Sequence, residues 1–170
     1  MSIRKDVAIR AVIKRRVAAP RERVFQAWTE AEHLQRWFFP TVDGNAVPQA
    51  EVDLRVGGRY RITLHAPDGN VTAMVGGIYH EVLPPAKLVF SWAWEAPQPD
   101  PSETLVTVEL HEIRGETEII ITHEHCPEPT APERHTIGWN CCLERLTQLV
   151  ERKRALSRHV LATPQEPCRQ

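Results

Sequence analysis

The sequence predicts an α+β fold, a curved antiparallel sheet of about seven strands closed over one long C-terminal helix. Three observations lead there. Much of the chain ahead of residue 126 alternates apolar and polar residues in short runs, the period-two mark of half-buried strands. Several joints between these runs are tight-turn sequences, Gly57-Gly58, Pro67-Asp68-Gly69-Asn70 and Arg114-Gly115, so successive strands pair antiparallel. The last segment, His135–Leu156, changes period. From Trp139 onward Cys142, Leu143, Leu146, Leu149 and Val150 share one helix face, while Glu144, Arg145, Gln148, Glu151 and Arg152 take the other. At ~1.5 Å per residue that helix spans about 30 Å, enough to cross a small domain.

Taken in order, Val7–Val17 is a strand with Val7, Ile9, Ala11 and Ile13 on one side and Arg10, Lys14 and Arg16 on the other. Pro20 opens a short helix, Glu22 suits its positive end, and Val24, Phe25, Ala27 and Trp28 form its apolar face. Thr29-Glu30-Ala31-Glu32 reads as a capping box for a second short helix carrying Leu34, Trp37 and Phe38 to a stop at Pro40. Thr41–Gln49 is expected to be a loop and Glu51–Arg55 a short strand. In Arg59–His65, Tyr60, Ile62 and Leu64 face one way. Val71–Val82 is a long strand whose Gly76-Gly77 pair predicts a bulge or bend. Lys87–Trp94 places Leu88, Phe90, Trp92 and Trp94 on one face, and the prolines of Glu95–Ser102 make an extended loop. Thr104–Ile113 and Thr117–His125 are the last two strands. The second sets Ile119, Ile121, His123 and His125 on one face.

The expected domain runs over residues 7–157, with 158–170 as a disordered tail. Among 170 residues, 21 basic side chains against 22 acidic ones leave a net charge of -1, and only Arg152–Arg154 concentrates positive charge, which argues against nucleic acid as a partner. There is no uncharged run of membrane-spanning length and no apolar stretch behind the N-terminal charges, so neither membrane insertion nor secretion is expected. Irregularly spaced Cys126, Cys141, Cys142 and Cys168 fit reduced thiols in a cytoplasmic protein.

Chemistry-bearing patterns are sparse. His123 and His125 lie two apart beside Cys126, but without a CxxC or HExxH motif they predict no metal site, and no cofactor is expected. No nucleophile elbow, phosphate loop or dinucleotide fingerprint occurs. A bent sheet closed by one helix does leave room beside it for an apolar pocket. The expected wall residues are Trp37, Tyr60, Ile62, Met74, Trp92, Trp94, Val108, His123, Trp139 and Cys142. They predict a binding protein for a small hydrophobic or aromatic ligand. The alternative is an enzyme using His123 and Tyr60 as acid and base, without metal. The chain is expected to act as a monomer or homodimer.

One set of motifs has a known counterpart. Ala19-Pro20, Val24–Thr29, Arg36-Trp37-Phe38, the run Asp53-Leu54-Arg55-Val56-Gly57-Gly58-Arg59-Tyr60, Gly77-Ile78-Tyr79, Glu81–Pro85, Leu88–Trp92 and Gly138-Trp139 follow one another as in the SRPBCC superfamily. More narrowly, the chain resembles the branch of homologues of the activator of the heat-shock-protein ATPase, over about residues 8–151. The resemblance implies a START-like helix-grip fold: a seven-stranded antiparallel sheet, two small helices at one end, a long C-terminal helix and a cavity for hydrophobic ligands. It also implies a spread of activities, from lipid or polyketide binding and aromatic cyclisation to toxin resistance and chaperone interaction. It supplies no shared catalytic residue.

Overall fold

The computed structural model describes residues 9–39, 46–96, 99, 102–126 and 131–160, with Val47, Ala131 and residues 152–160 as backbone only. The elements, in chain order, are β1 (Ala11–Val17), α1 (Arg21–Thr29), α2 (Ala31–Trp37), β2 (Val47–Val52), β3 (Arg59–His65), β4 (Val71–Leu83), β5 (Lys87–Ala96), β6 (Thr104–Ile113), β7 (Glu116–Glu124) and α3 (Ala131–Val160). One seven-stranded sheet has the order β1-β7-β6-β5-β4-β3-β2, with every neighbouring pair antiparallel. This is the expected START-like helix-grip fold.

The alternation seen in the sequence is the inside–outside pattern of the sheet. On β6, Thr104, Val106, Val108 and Leu110 are buried, and on β7 so are Thr117, Ile119, Ile121 and His123. Helix α3 lays Trp139, Cys142, Leu143, Leu146 and Val150 onto this inner face, while Ile137, two residues before Trp139 and so on the opposite side of the helix, stays 66% exposed. Two long-range hydrogen bonds hold the helix to the start of the chain. Ala18 N–H donates to Glu151 Oε1 at 2.9 Å, and Arg23 donates to the Val150 carbonyl at 3.2 Å.

Several sequence readings need correction. Residues 47–49 belong to strand β2, which ends at Val52; Asp53–Gly58 is the turn after it. Pro48 is tolerated because β2 is an edge strand and needs donors on one side only. No capping box forms, because Thr29 ends α1 and donates its hydroxyl to Phe25 O at 2.9 Å, leaving Glu30 to cap α2 without a side-chain bond. The register shifts of β4 flank the glycine pair, at Met74/Val75 and Tyr79/Glu81. Gly77 serves a close approach instead, since a Cβ there would collide with the Ser91 carbonyl oxygen. Helix α3 starts at Ala131, taking in Pro132 in its first turn, where a missing N–H costs nothing. It runs on to Val160, with no glycine or proline among residues 139–160 to break it, so 158–160, expected as tail, are helical. Val7, Pro40 and residues 161–170 lie outside the described residues.

Candidate functional site

The hollow between sheet and helices is mostly filled by rings. A half-open recess remains, lined by Trp28, Leu34 and Phe38 from the helical segment and by Tyr60, Ile62, Tyr79, Phe90 and Trp92 from β3, β4 and β5. Its cavity volume is about 20 Å³, room for about one water molecule. This recess is small because the side chains that line it also fill it. Phe38 is the plug from the helical side, its ring 5.7 Å from Trp92 and 6.0 Å from Trp139.

Each lining ring is placed by local geometry. Tyr60 and Ile62 project inward from alternate positions of β3, and Tyr79 does so from β4. The missing Cβ of Gly77 lets Ser91 press against β4, where its Oγ accepts from Ile78 N–H at 3.0 Å and its carbonyl accepts from the Tyr60 hydroxyl at 2.8 Å. That bond keeps the Tyr60 ring against Phe90 and Tyr79, at 5.2 and 5.5 Å. Phe38 follows α2 directly, and its N–H caps that helix on Leu34 O at 2.9 Å. Phe39 next to it has φ 52, a conformation that costs a bulky residue about 1–3 kcal/mol. The Phe39 carbonyl accepts from Arg145 on α3 at 3.4 Å.

Beside the recess lies a hydrogen-bonded relay. Trp139 Nε1–H donates to His123 Nδ1 at 3.2 Å, and an indole can only donate, so Nδ1 is the unprotonated nitrogen. His123 Nε2 then carries the proton and donates to Thr104 Oγ1 at 2.7 Å, and the Thr104 hydroxyl donates to the Trp92 carbonyl at 3.1 Å. Every polar atom in the relay has a partner. His123 is fully buried and its pKa is lowered to about 3, first by desolvation and then by His135, whose ring is 3.9 Å away. At neutral pH neither nitrogen is free to take a substrate proton. Tyr60 is likewise held well above the usual phenol range by burial and already donates its proton to Ser91. Burial pushes the Cys142 thiol up to about 12, so it stays protonated and unreactive.

Of the expected wall residues, Tyr60, Ile62 and Trp92 line the recess. Trp37 and Trp139 are buried behind it, with Trp37 Nε1 donating to Ala27 O at 2.8 Å. His123 belongs to the relay, and Cys142 is a buried core residue of α3. Val108 is core, paired with Leu88 and Ile121. Trp94 is only partly buried, against Phe39 at 6.0 Å. Met74 pairs with Thr63, one position out of phase with Ile62 and Val75, and so faces away from the recess. His125 has left the strand at φ 63 and is exposed, because β7 ends at Glu124. Among the described residues no three His, Cys, Asp or Glu side chains are grouped to hold a metal ion, and no helix is long and apolar enough to cross a membrane.

Sequence reasoning missed Trp28, Leu34, Phe38, Tyr79 and Phe90 as wall residues. Phe90 was read as inward-facing, and Trp28, Leu34 and Phe38 as helix faces, but nothing local said that those faces meet at one hollow.

Two of the lining residues differ from their neighbours. The indole N–H groups of Trp28 and Trp92 are buried and have no hydrogen-bond partner among the described residues, in side chains 3% and 7% exposed.

Comparison with known proteins supports the fold throughout. The model of the family described as Activator of Hsp90 ATPase homolog 1-like protein matches residues 18–151. A protein of Chromobacterium violaceum is 28% identical, with a TM-score of 0.72 over 84% of this chain and 97% of its own. An HSP90 activator from Plasmodium falciparum is also 28% identical, with a TM-score of 0.58 over 77% of this chain and 87% of its own. An AHSA1-like protein from Aeromonas hydrophila, 23% identical with a TM-score of 0.66 over 84% of this chain and 93% of its own, shares the fold. Among curated proteins none matches significantly.

Proposed function

The chain belongs to the Activator of Hsp90 ATPase homolog 1-like family, and within it we propose that this protein binds a small, largely apolar molecule in the aromatic recess between sheet and α2. The observation that carries this reading is the lining itself. Six of its eight side chains are aromatic and none is charged, the usual character of a small-molecule site. The room for one water sets the condition for binding: a ring-sized guest displaces Phe38. Exposing a Phe side chain costs about 1.5–3 kcal/mol, and a guest that covers the same surface recovers most of it.

Native mass spectrometry of the freshly purified full chain tests this. A co-purified adduct in the small-molecule range, lost on adding organic solvent, is the expected result. A chain that carries no adduct and takes up none of a panel of small aromatics would sink the reading.

A second reading rests on a separate observation, the 28% identity to a structure described as an HSP90 activator. On this reading the chain acts on a chaperone ATPase. Stimulation of HSP90 ATP hydrolysis by the purified chain is the result it predicts, and an unchanged rate at saturating protein removes it. An enzyme of the cyclase or hydrolase type has less support, because His123 and Tyr60 are both committed to structural hydrogen bonds.

A further inference from the structure

On the reading of the recess as a binding site, we propose that its ligand is a neutral molecule whose oxygen acceptor, a ketone, ester, lactone or quinone carbonyl, is bound by the indole N–H groups of Trp28 and Trp92. A buried N–H without an acceptor is rare in folded proteins and calls for an explanation. Here two such groups belong to lining residues of one recess. They are not a general habit of this core, since Trp37 and Trp139, packed beside them, donate to Ala27 O and His123 Nδ1.

The unmet demand on this wall is for acceptors, and that selects the ligand class. A carboxylate would supply oxygen but bury a charge with no cation among the lining residues. An organic ammonium would find ring faces to sit against, yet it would turn positive charge toward two N–H donors and leave both unpaired. A hydrocarbon would fill space and satisfy neither. Water fits the present volume, but it brings two further donors to a wall already in excess of them. A neutral carbonyl compound meets the donors with lone pairs and the rings with apolar surface.

The test uses indole N–H signals in nitrogen-15 NMR spectra of the full-length protein. The five tryptophans are assigned one by one with Trp→Phe variants. The probes are acetophenone, its oxygen-free isostere α-methylstyrene, benzoate and phenyltrimethylammonium. Acetophenone is expected to move the Trp28 and Trp92 indole protons downfield and to leave those of Trp37 and Trp139 nearly in place. It should also bind at least tenfold tighter than α-methylstyrene, a preference that Trp28→Phe and Trp92→Phe each reduce. In Phe38→Ala, which opens the recess, acetophenone affinity should rise about tenfold.

Equal binding of acetophenone and α-methylstyrene would overturn the acceptor class while leaving the recess a binding site. Tighter binding of benzoate or of the ammonium would overturn it in the same way. If no probe moves any indole signal, in the wild type or in Phe38→Ala, the binding reading itself falls and the two donors belong to water.

Discussion

Two parts of this core treat the same chemical group in opposite ways. Around His123 the indole N–H of Trp139 enters a chain of hydrogen bonds that ends on the Trp92 carbonyl, with every donor matched. Around the recess the indole N–H groups of Trp28 and Trp92 are buried and have no partner among the described residues. Both regions are aromatic and desolvated, and Trp139 touches both, with its ring 5.7 Å from Trp28 and 5.3 Å from Trp92. An unpaired buried donor costs about 1–3 kcal/mol. The relay therefore contributes stability that the two indole groups of the recess do not, which is the contrast that the proposed binding site rests on.

The strongest way to break the contrast is to remove the centre of the relay. His123→Ala should destabilise the fold by about 4 kcal/mol, through the void and the orphaned Trp139 N–H together. Urea unfolding measures it, and a loss below about 1 kcal/mol would show that the relay is incidental.

Acidification attacks the same group without mutation. Its folded pKa of about 3 lies below the ordinary 6.5, so folding favours the neutral ring. Below pH 6.5 the unfolded chain binds a proton that the native state refuses. Stability contributed by His123 is thus complete above pH 6.5 and lost as pH falls from there to about 3, on the order of 5 kcal/mol in all. His135, lowered by desolvation and by Arg134, acts in the same direction. Urea midpoints between pH 7 and pH 4 that do not move would contradict this.

The comparison sharpens with one substitution made at two places. Trp139→Phe removes a bonded indole and Trp28→Phe an unbonded one, and each leaves a similar gap. The first should cost about 1–2 kcal/mol more than the second, the share of the hydrogen bond and of the orphaned His123 Nδ1. Equal losses in thermal or urea unfolding would mean that the Trp28 N–H is satisfied in solution. The smallest effect belongs to a residue in neither region. Ile137→Ser, at an exposed site on α3, should shift stability by less than about 0.5 kcal/mol.

Much of the frame was readable before any coordinates. Period-two runs located six of the strands to within a few residues, and Thr104–Ile113 matches β6 at both ends. The α3 stripe from Trp139 to Val150 is the buried stripe, apart from the half-buried Leu149. Strand β2 escaped because an edge strand holding a proline carries little alternation. At the site, Tyr60, Ile62 and Trp92 were legible as inward aromatic and apolar positions. Met74 does not belong to the wall, since alternation from the buried Val75 and Tyr79 already places it on the opposite face of β4. Trp28, Leu34 and Phe38 were legible only as helix faces.

Periodicity is a local property, so the chain alone decides which residues turn inward and what kind of element carries them. How far the inner face is filled is not local. It follows from the twist and bulges of the sheet, from Ser91 pressing against Gly77, and from Phe38 reaching across at the end of α2. Those contacts join residues far apart in sequence, and they decide how little space is left in the recess lined by Trp28, Phe38, Tyr60 and Trp92.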